Sequence, residues 1–177
     1  MQMKTTKSEW RALIAQRKKT YTPQQLDQWS SSLLVQLEDH PVFRRAQTIL
    51  MYYSLPDEVR THTFVERWSQ SKRIILPVVK GDELELRLYQ GKESLKKGAY
   101  GIEEPIGPLL TDSDYNEVAL AIIPGVSFDA EGNRLGRGKG LRFVYKYRIS
   151  EVYRYRINIY LALAFSIALC YTNFIDF

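Results

Sequence analysis

Thr48-Ile49-Leu50-Met51-Tyr52-Tyr53 is a short apolar run bounded by polar residues. Such a run, without alternation, reads as a strand buried on both faces, the habit of parallel sheets. A turn, Ser54-Leu55-Pro56-Asp57-Glu58, follows, then a helical stretch around Phe64, Val65 and Trp68. Arg73–Val79 (RIILPVV) reads as a second strand and Val118–Ile123 (VALAII) as another, ended by Pro124-Gly125. Between them Leu84–Tyr89 (LELRLY) alternates strictly, which predicts a half-exposed, added antiparallel strand. Strands alternating with helices predict an α/β layered domain around a mostly parallel sheet.

Upstream, Ser8–Lys19 reads as a helix with Trp10, Leu13 and Ile14 on its apolar side. Thr22-Pro23 is a helix start, threonine as N-cap and proline at the first helical position. The helix it opens buries Leu26, Trp29, Leu33, Leu34 and Leu37 and breaks at Asp39-His40-Pro41.

The chain has 177 residues, 45% hydrophobic and 25% charged. That balance excludes disorder and collagen-like architecture and predicts one domain over residues 1–177. Cys170 is the single cysteine and the histidines number two, so neither an internal disulfide nor a zinc site of the usual kind is expected. No signal-peptide pattern is visible at the start, and the longest apolar stretch, Ile157–Tyr171, is too short to span a bilayer. A soluble cytoplasmic protein, with no membrane partner, is the expectation.

The net charge of +5 is local. Residues 131–148 hold six cations (Arg134, Arg137, Lys139, Arg142, Lys146, Arg148) against Glu131, so the remainder is neutral. A focused patch of this kind suits phosphate groups on a small ligand as well as a nucleic-acid backbone.

Within the patch, Gly132-Asn133-Arg134-Leu135-Gly136-Arg137-Gly138-Lys139-Gly140 lies a few residues past a buried strand. Alternating glycines let backbone amides approach a ligand, and arginines supply bidentate phosphate geometry. The segment is neither a Walker A loop, since Asn133 stands where its first glycine belongs, nor a dinucleotide fingerprint. Phosphate binding, a basic surface turn and an RNA contact all remain open on residue types. Lys7 and Arg11 lie one helical turn apart, readable as a solvated face or a binding pair. Asp57-Glu58 suits an amine-rich heterocycle, or simply the dipole of the helix that follows. Tyr100, entering the turn Gly101–Pro105, serves either stacking or packing. His40 and His62 read as surface residues.

Taken together, four segments resemble the 5-formyltetrahydrofolate cyclo-ligase (methenyltetrahydrofolate synthetase) family. They are Lys7-x-x-x-Arg11, Tyr53-Ser54-x-x-Asp57-Glu58-Val59, Gly101-Ile102-x-Glu104-Pro105 and IIPGVSFDAEGNRLGRGKG from Ile122 to Gly140. Their order and spacing match across residues 7–140.

The resemblance implies a three-layer α/β/α fold with a mostly parallel sheet, like that of sugar-phosphate isomerases and coenzyme A transferases. It also implies ATP-dependent, Mg²⁺-assisted cyclisation of 5-formyltetrahydrofolate to 5,10-methenyltetrahydrofolate, a ligase reaction releasing ADP and phosphate. By the same resemblance, Lys7, Arg11, Arg134, Leu135, Gly136, Arg137, Gly138, Lys139 and Gly140 bind ATP. Arg137 and Lys139 act catalytically on the transferred phosphoryl group. Tyr53, Glu58 and Tyr100 bind the folate.

After Gly140 the pattern departs. Leu141, Arg142 and Phe143 stand where the family has two tyrosines and a metal-binding aspartate, and phenylalanine offers a hard cation no oxygen. The family's closing segment, with its second metal-binding aspartate, is expected to be missing, so no metal ligands are assigned. Residues 141–177 also hold 10 of the chain's 22 aromatic residues. That shift suggests an altered reading frame or sequence record beyond Gly140; a genuine tail predicts impaired Mg²⁺-ATP turnover with some folate or phosphate binding retained. Two other functions compete: an α/β domain binding a phosphorylated metabolite without ATP chemistry, and an RNA-binding module using the basic loop with Phe143, Tyr145 and Tyr147.

Overall fold

The computed structural model describes residues 6–81, 83–98, 101–129 and 133–137. Tyr100, Gly138, Lys139, Gly140 and the whole segment 141–177, with its long apolar stretch and Cys170, lie outside the described residues.

Two long helices open the chain, each closed at its start by a reciprocal cap. Thr6 and Glu9 cap α1 (Lys7–Lys18), and Thr22 with Gln25 caps α2 (Pro23–Asp39). The break at Asp39-His40-Pro41 is a single residue wide. His40 leaves helical geometry, its Nδ1 accepts from the Val42 N–H at 3.2 Å, and α3 (Pro41–Arg45) restarts at once. His40 is thus a half-buried cap rather than a plain surface residue.

The apolar run from Thr48 forms β1 (Thr48–Leu50) and stays buried through Tyr52. The helix around Phe64 is α4 (His62–Trp68), followed by β2 (Arg73–Lys80) and β3 (Glu83–Leu88). Beyond a 3-10 turn at Lys92–Ser94 come β4 (Leu95–Lys97) and β5 (Glu103–Pro105), a two-stranded antiparallel arm. Then follow α5 (Asp112–Glu117), β6 (Val118–Ala121) and the short hairpin of β7 (Ser127–Phe128) with β8 (Arg134–Leu135).

The main sheet has the order β3-β2-β1-β6. β1 runs parallel to both neighbours, and β3 is antiparallel to β2, as expected from the alternation of LELRLY. From β1 the chain moves outward through β2 to β3, then returns to place β6 on β1's other side. That reversal is a topological switch point, and open α/β sheets bind ligands at the carboxyl ends of the strands flanking one.

Each face of the sheet carries its own core. Ile49, Met51, Ile74, Leu76 and Leu120 pack with Leu37 of α2, Phe43 of α3 and Phe64 and Val65 of α4. Leu50, Ile75, Leu86, Val118 and Ala121 pack on the opposite side with Leu110 and with Tyr115 of α5. The alternation along β1 and β2 drives this split, since successive side chains leave opposite faces.

Pro77, inside β2, is tolerated for a simple reason. N–H groups at every second residue of β2 point toward β1, and the last bond between the two strands is Met51 N–H to Ile75 O at 2.9 Å. Pro77 is the next such position, so the ladder ends at it and the proline sits at the limit of the pairing. Val79, the next such N–H, donates instead to the buried Glu104 carboxylate at 3.0 Å. Glu104 of the Gly101–Pro105 segment therefore ties β5 to β2.

Among the described residues no helix is long and apolar enough to cross a membrane.

Candidate active site

The turn after β1 and the hairpin after β6 emerge side by side because their strands are parallel neighbours. The turn closes on itself: Glu58 N–H donates to Leu55 O at 3.0 Å, and Leu55 N–H donates to Glu58 Oε2 at 3.0 Å. Behind it, Ser54 and Thr61 exchange bonds at 3.1 Å in both directions, and the Thr61 hydroxyl donates to Tyr52 O at 2.7 Å. These groups are buried, so the segment from Tyr53 to Thr61 is held at both ends.

Tyr53 lies half-buried at the start of that segment. Its ring stacks on His62 with centroids 4.0 Å apart, and His62 Nε2 donates to Ser54 O at 2.9 Å. Burial, and then the negative charge of Glu103, push the Tyr53 phenol above its ordinary value. His62 is exposed, as the sequence suggests, yet it orients one of the predicted folate residues.

Across the gap, the β7–β8 hairpin carries the basic loop. Arg134 folds back so that its Nη1 donates to Pro124 O at 2.7 Å, and its guanidinium covers Gly136. Leu135 is buried, and its carbonyl accepts from Val126 N–H at 2.7 Å, so its side chain faces the core. Arg137 leaves the hairpin toward the acidic turn. Its Nε lies 3.1 Å from Glu58 Oε1, and its Nη2 pairs with Asp57 Oδ1. Glu58 keeps only 9% of its side chain exposed, against 38% for Arg137. Both Glu58 oxygens are thus engaged, one by the backbone and one by the arginine.

Helix α1 closes the third side. The sequence expectation of a Trp10, Leu13, Ile14 stripe needs correction, since Leu13 is 51% exposed. Ile14 is the buried residue of the inward face as expected, with Trp10, Arg11, Arg17 and Lys18 half-buried around it. Arg11 Nε donates to Gly136 O at 2.7 Å, and Lys18 Nζ donates to Asp57 O at 2.8 Å. Two cations thus find carbonyl partners on the side that a purely apolar stripe would give to leucine. Lys7 is exposed one turn before Arg11, and its side chain bonds to no described residue.

The structure therefore brings Arg11, Gly136, Arg137 and Glu58 together, with Tyr53 on the same segment as Glu58. Lys18, His62 and the Ser54–Thr61 pair escaped the sequence reading. The spacing of Arg11, Ile14 and Lys18 was the available signal for the first; the others depend on contacts made only after folding.

A magnesium site does not emerge from these donors. Asp129 is buried, with Oδ1 accepting from Asn133 N–H at 2.6 Å and Oδ2 from Asn133 Nδ2 at 2.7 Å. It locks the hairpin with one hydrogen bond on each oxygen. Among the described residues, no group of three or more His, Cys, Asp or Glu is placed to hold a metal ion.

The model of the 5-formyltetrahydrofolate cyclo-ligase family matches residues 3–172, which includes most of the segment after Gly140. A probable 5-formyltetrahydrofolate cyclo-ligase of Schizosaccharomyces pombe is 30% identical over 155 residues, covering 82% of this chain and 75% of that protein. The mouse 5-formyltetrahydrofolate cyclo-ligase is 28% identical over 176 residues, covering 90% and 82%. Among solved structures, the 5,10-methenyltetrahydrofolate synthetase of Aquifex aeolicus superposes with a TM-score of 0.70 at 29% identity, covering 84% of this chain and 74% of that one. Neither the phosphometabolite reading nor the RNA reading gains support from these likenesses. Sequence, fold and the pairing of a basic loop with an acidic turn agree: the chain is a member of the 5-formyltetrahydrofolate cyclo-ligase family of ligases.

Proposed function

We propose that this chain binds ATP and 5-formyltetrahydrofolate in the cleft between the β7–β8 hairpin and the Asp57–Glu58 turn, and closes the folate to 5,10-methenyltetrahydrofolate. The observation that carries this reading is the Arg137–Glu58 contact, which sets a phosphate-binding cation beside a carboxylate suited to a pterin. ATP is the co-substrate. Lys7, Arg11, Gly136 and Arg137 receive its phosphates, joined by Arg134, Leu135, Gly138, Lys139 and Gly140 of the same loop.

In the reaction the formyl oxygen attacks the γ-phosphorus as the bond to ADP breaks. The neighbouring folate amine then attacks the activated formyl carbon and loses its proton, and phosphate departs with the former formyl oxygen. Such chemistry rests on placement and on charge. Arg137 and Lys139 meet the charge developing on the phosphoryl group. Glu58 accepts hydrogen bonds from the amine-rich heterocycle, and Tyr53 and Tyr100 supply aromatic surface. The described acids do not fit magnesium, and Phe143 stands where the family has a metal-binding aspartate, so turnover with Mg²⁺-ATP is impaired while binding persists. The layered plan is that of sugar-phosphate isomerases and coenzyme A transferases, and the protein works in the cytoplasm.

The test is appearance of the methenyl chromophore from 5-formyltetrahydrofolate, with and without ATP, beside thermal shifts with each ligand alone. A specific ligand raises stability by mass action. Stabilisation by both, with slow ATP-dependent chromophore formation, supports the reading. Absence of stabilisation by either ligand overturns it.

A further inference from the structure

Lys18 has an unusual position for a lysine. Its side chain is only 18% exposed, although lysine ordinarily keeps its ammonium in water. Burial lowers its pKa, with the Asp57 charge opposing that effect. The ammonium is compensated by Asp57 alone among the described hydrogen bonds and ion pairs: 2.8 Å to the carbonyl and 3.8 Å to Oδ2.

The bond falls on a turn closed by its own hydrogen bonds. Leu55 and Glu58 are joined by two hydrogen bonds, so a force on the Asp57 carbonyl is passed to the Glu58 carboxylate. Arg137 also grips this turn, through Asp57 and Glu58. On the reading that Arg137 engages the triphosphate, Lys18 is the other described cation bonded to this turn. Seven residues away on the same helix, about 10 Å along its axis, Arg11 holds Gly136 of the basic loop. One rigid helix face therefore spans both walls of the cleft.

From this geometry we propose that Lys18 is a positioning residue for the folate: it fixes the Asp57–Glu58 turn while Arg137 engages the triphosphate, so that Glu58 meets the pterin. The proposal rests on the reading that Glu58 receives the folate. Lys18 touches neither substrate, and its effect is selective for one of them.

Affinities of 5-formyltetrahydrofolate in the presence of ATP, and of ATP alone, are measured by calorimetry for the full chain and for Lys18→Met and Lys18→Arg. Methionine keeps the apolar stem and removes the donor, whereas arginine restores a donor. Lys18→Met is expected to weaken folate binding about tenfold, the scale of one lost charge-assisted hydrogen bond, with ATP affinity unchanged. Lys18→Arg is expected to recover most of the loss. Unchanged folate affinity in Lys18→Met overturns the proposal and leaves the function standing. Equal losses for both ligands, or a loss that arginine does not repair, also overturn it, because general damage then explains the result. A parent chain that binds no folate overturns the function and the proposal with it.

Discussion

Arg137 and Glu58, 79 residues apart in sequence, meet across the cleft with Nε 3.1 Å from Oε1. Their encounter follows from the parallel pairing of β1 with β6, which delivers the acidic turn and the basic hairpin to the same end of the sheet. A partly exposed pair of this kind contributes at most about 1 kcal/mol to folding. A double-mutant cycle of Arg137→Gln and Glu58→Gln, read by urea unfolding without ligand, should therefore show weak coupling. The kinetic effects should separate. Arg137→Gln is expected to lower kcat on the order of 100-fold, as removal of one transition-state donor does. Glu58→Gln is expected to act on KM for the folate. The methenyl absorbance measures both, and a common effect of the two variants on KM for ATP would refute the division of roles.

The walls of the site depend on a buried hydroxyl. Thr61 Oγ1 accepts from Ser54 N–H and donates to Tyr52 O, and the residue is almost wholly enclosed. Thr61→Val keeps the shape and strands both backbone groups. The expected cost is about 2 kcal/mol, seen as a lower urea midpoint with unchanged slope. A variant as stable as the parent would show that these groups find other partners.

Stability at low pH should depend on Asp114. The Thr111 hydroxyl donates to its Oδ2 at 2.6 Å, Arg73 Nη2 donates to its Oδ1 at 2.9 Å, and Thr111 N–H adds a third bond at 2.7 Å. These bonds, the Thr111 hydroxyl first and Arg73 next, bring its pKa down to about 2. The folded value lies below the unfolded one, so the stabilisation is fully present above the ordinary carboxylate range and is lost as pH falls through about 2. Acid unfolding of Asp114→Asn beside the parent should show a stability gap at neutral pH that closes toward pH 2. A gap independent of pH would refute the assignment.

Tyr89 presents the opposite case. Its hydroxyl is buried with no hydrogen-bond partner among the described residues, and burial pushes its pKa up to about 12. Replacement by phenylalanine removes an unsatisfied polar atom and leaves the ring, which packs in the core with Phe64 and Ile74. Tyr89→Phe is expected to match the parent or exceed it by up to about 1 kcal/mol in urea unfolding. A clear loss of stability would mean that the hydroxyl is bonded after all.

By itself, the sequence determined the four strands of the main sheet and the helices α1, α2 and α4, while α3, α5 and the short strands β4, β5, β7 and β8 were not legible in it. TILMYY, RIILPVV and VALAII carry no polar face, which suits only strands covered on both sides, and LELRLY carries one, which suits the exposed edge where β3 lies. Thr22-Pro23 and the glycine-spaced cations were legible for the same reason: each is a local pattern with a local physical meaning. The tertiary structure alone decided which charges meet. Nothing in the spacing of Arg11 and Lys18 tells which partners await them, and an apolar-stripe reading assigned the inward face to Leu13. Charge pairing across 79 or 125 residues is set by strand order and by how closely packed walls approach, and these are properties of the whole fold.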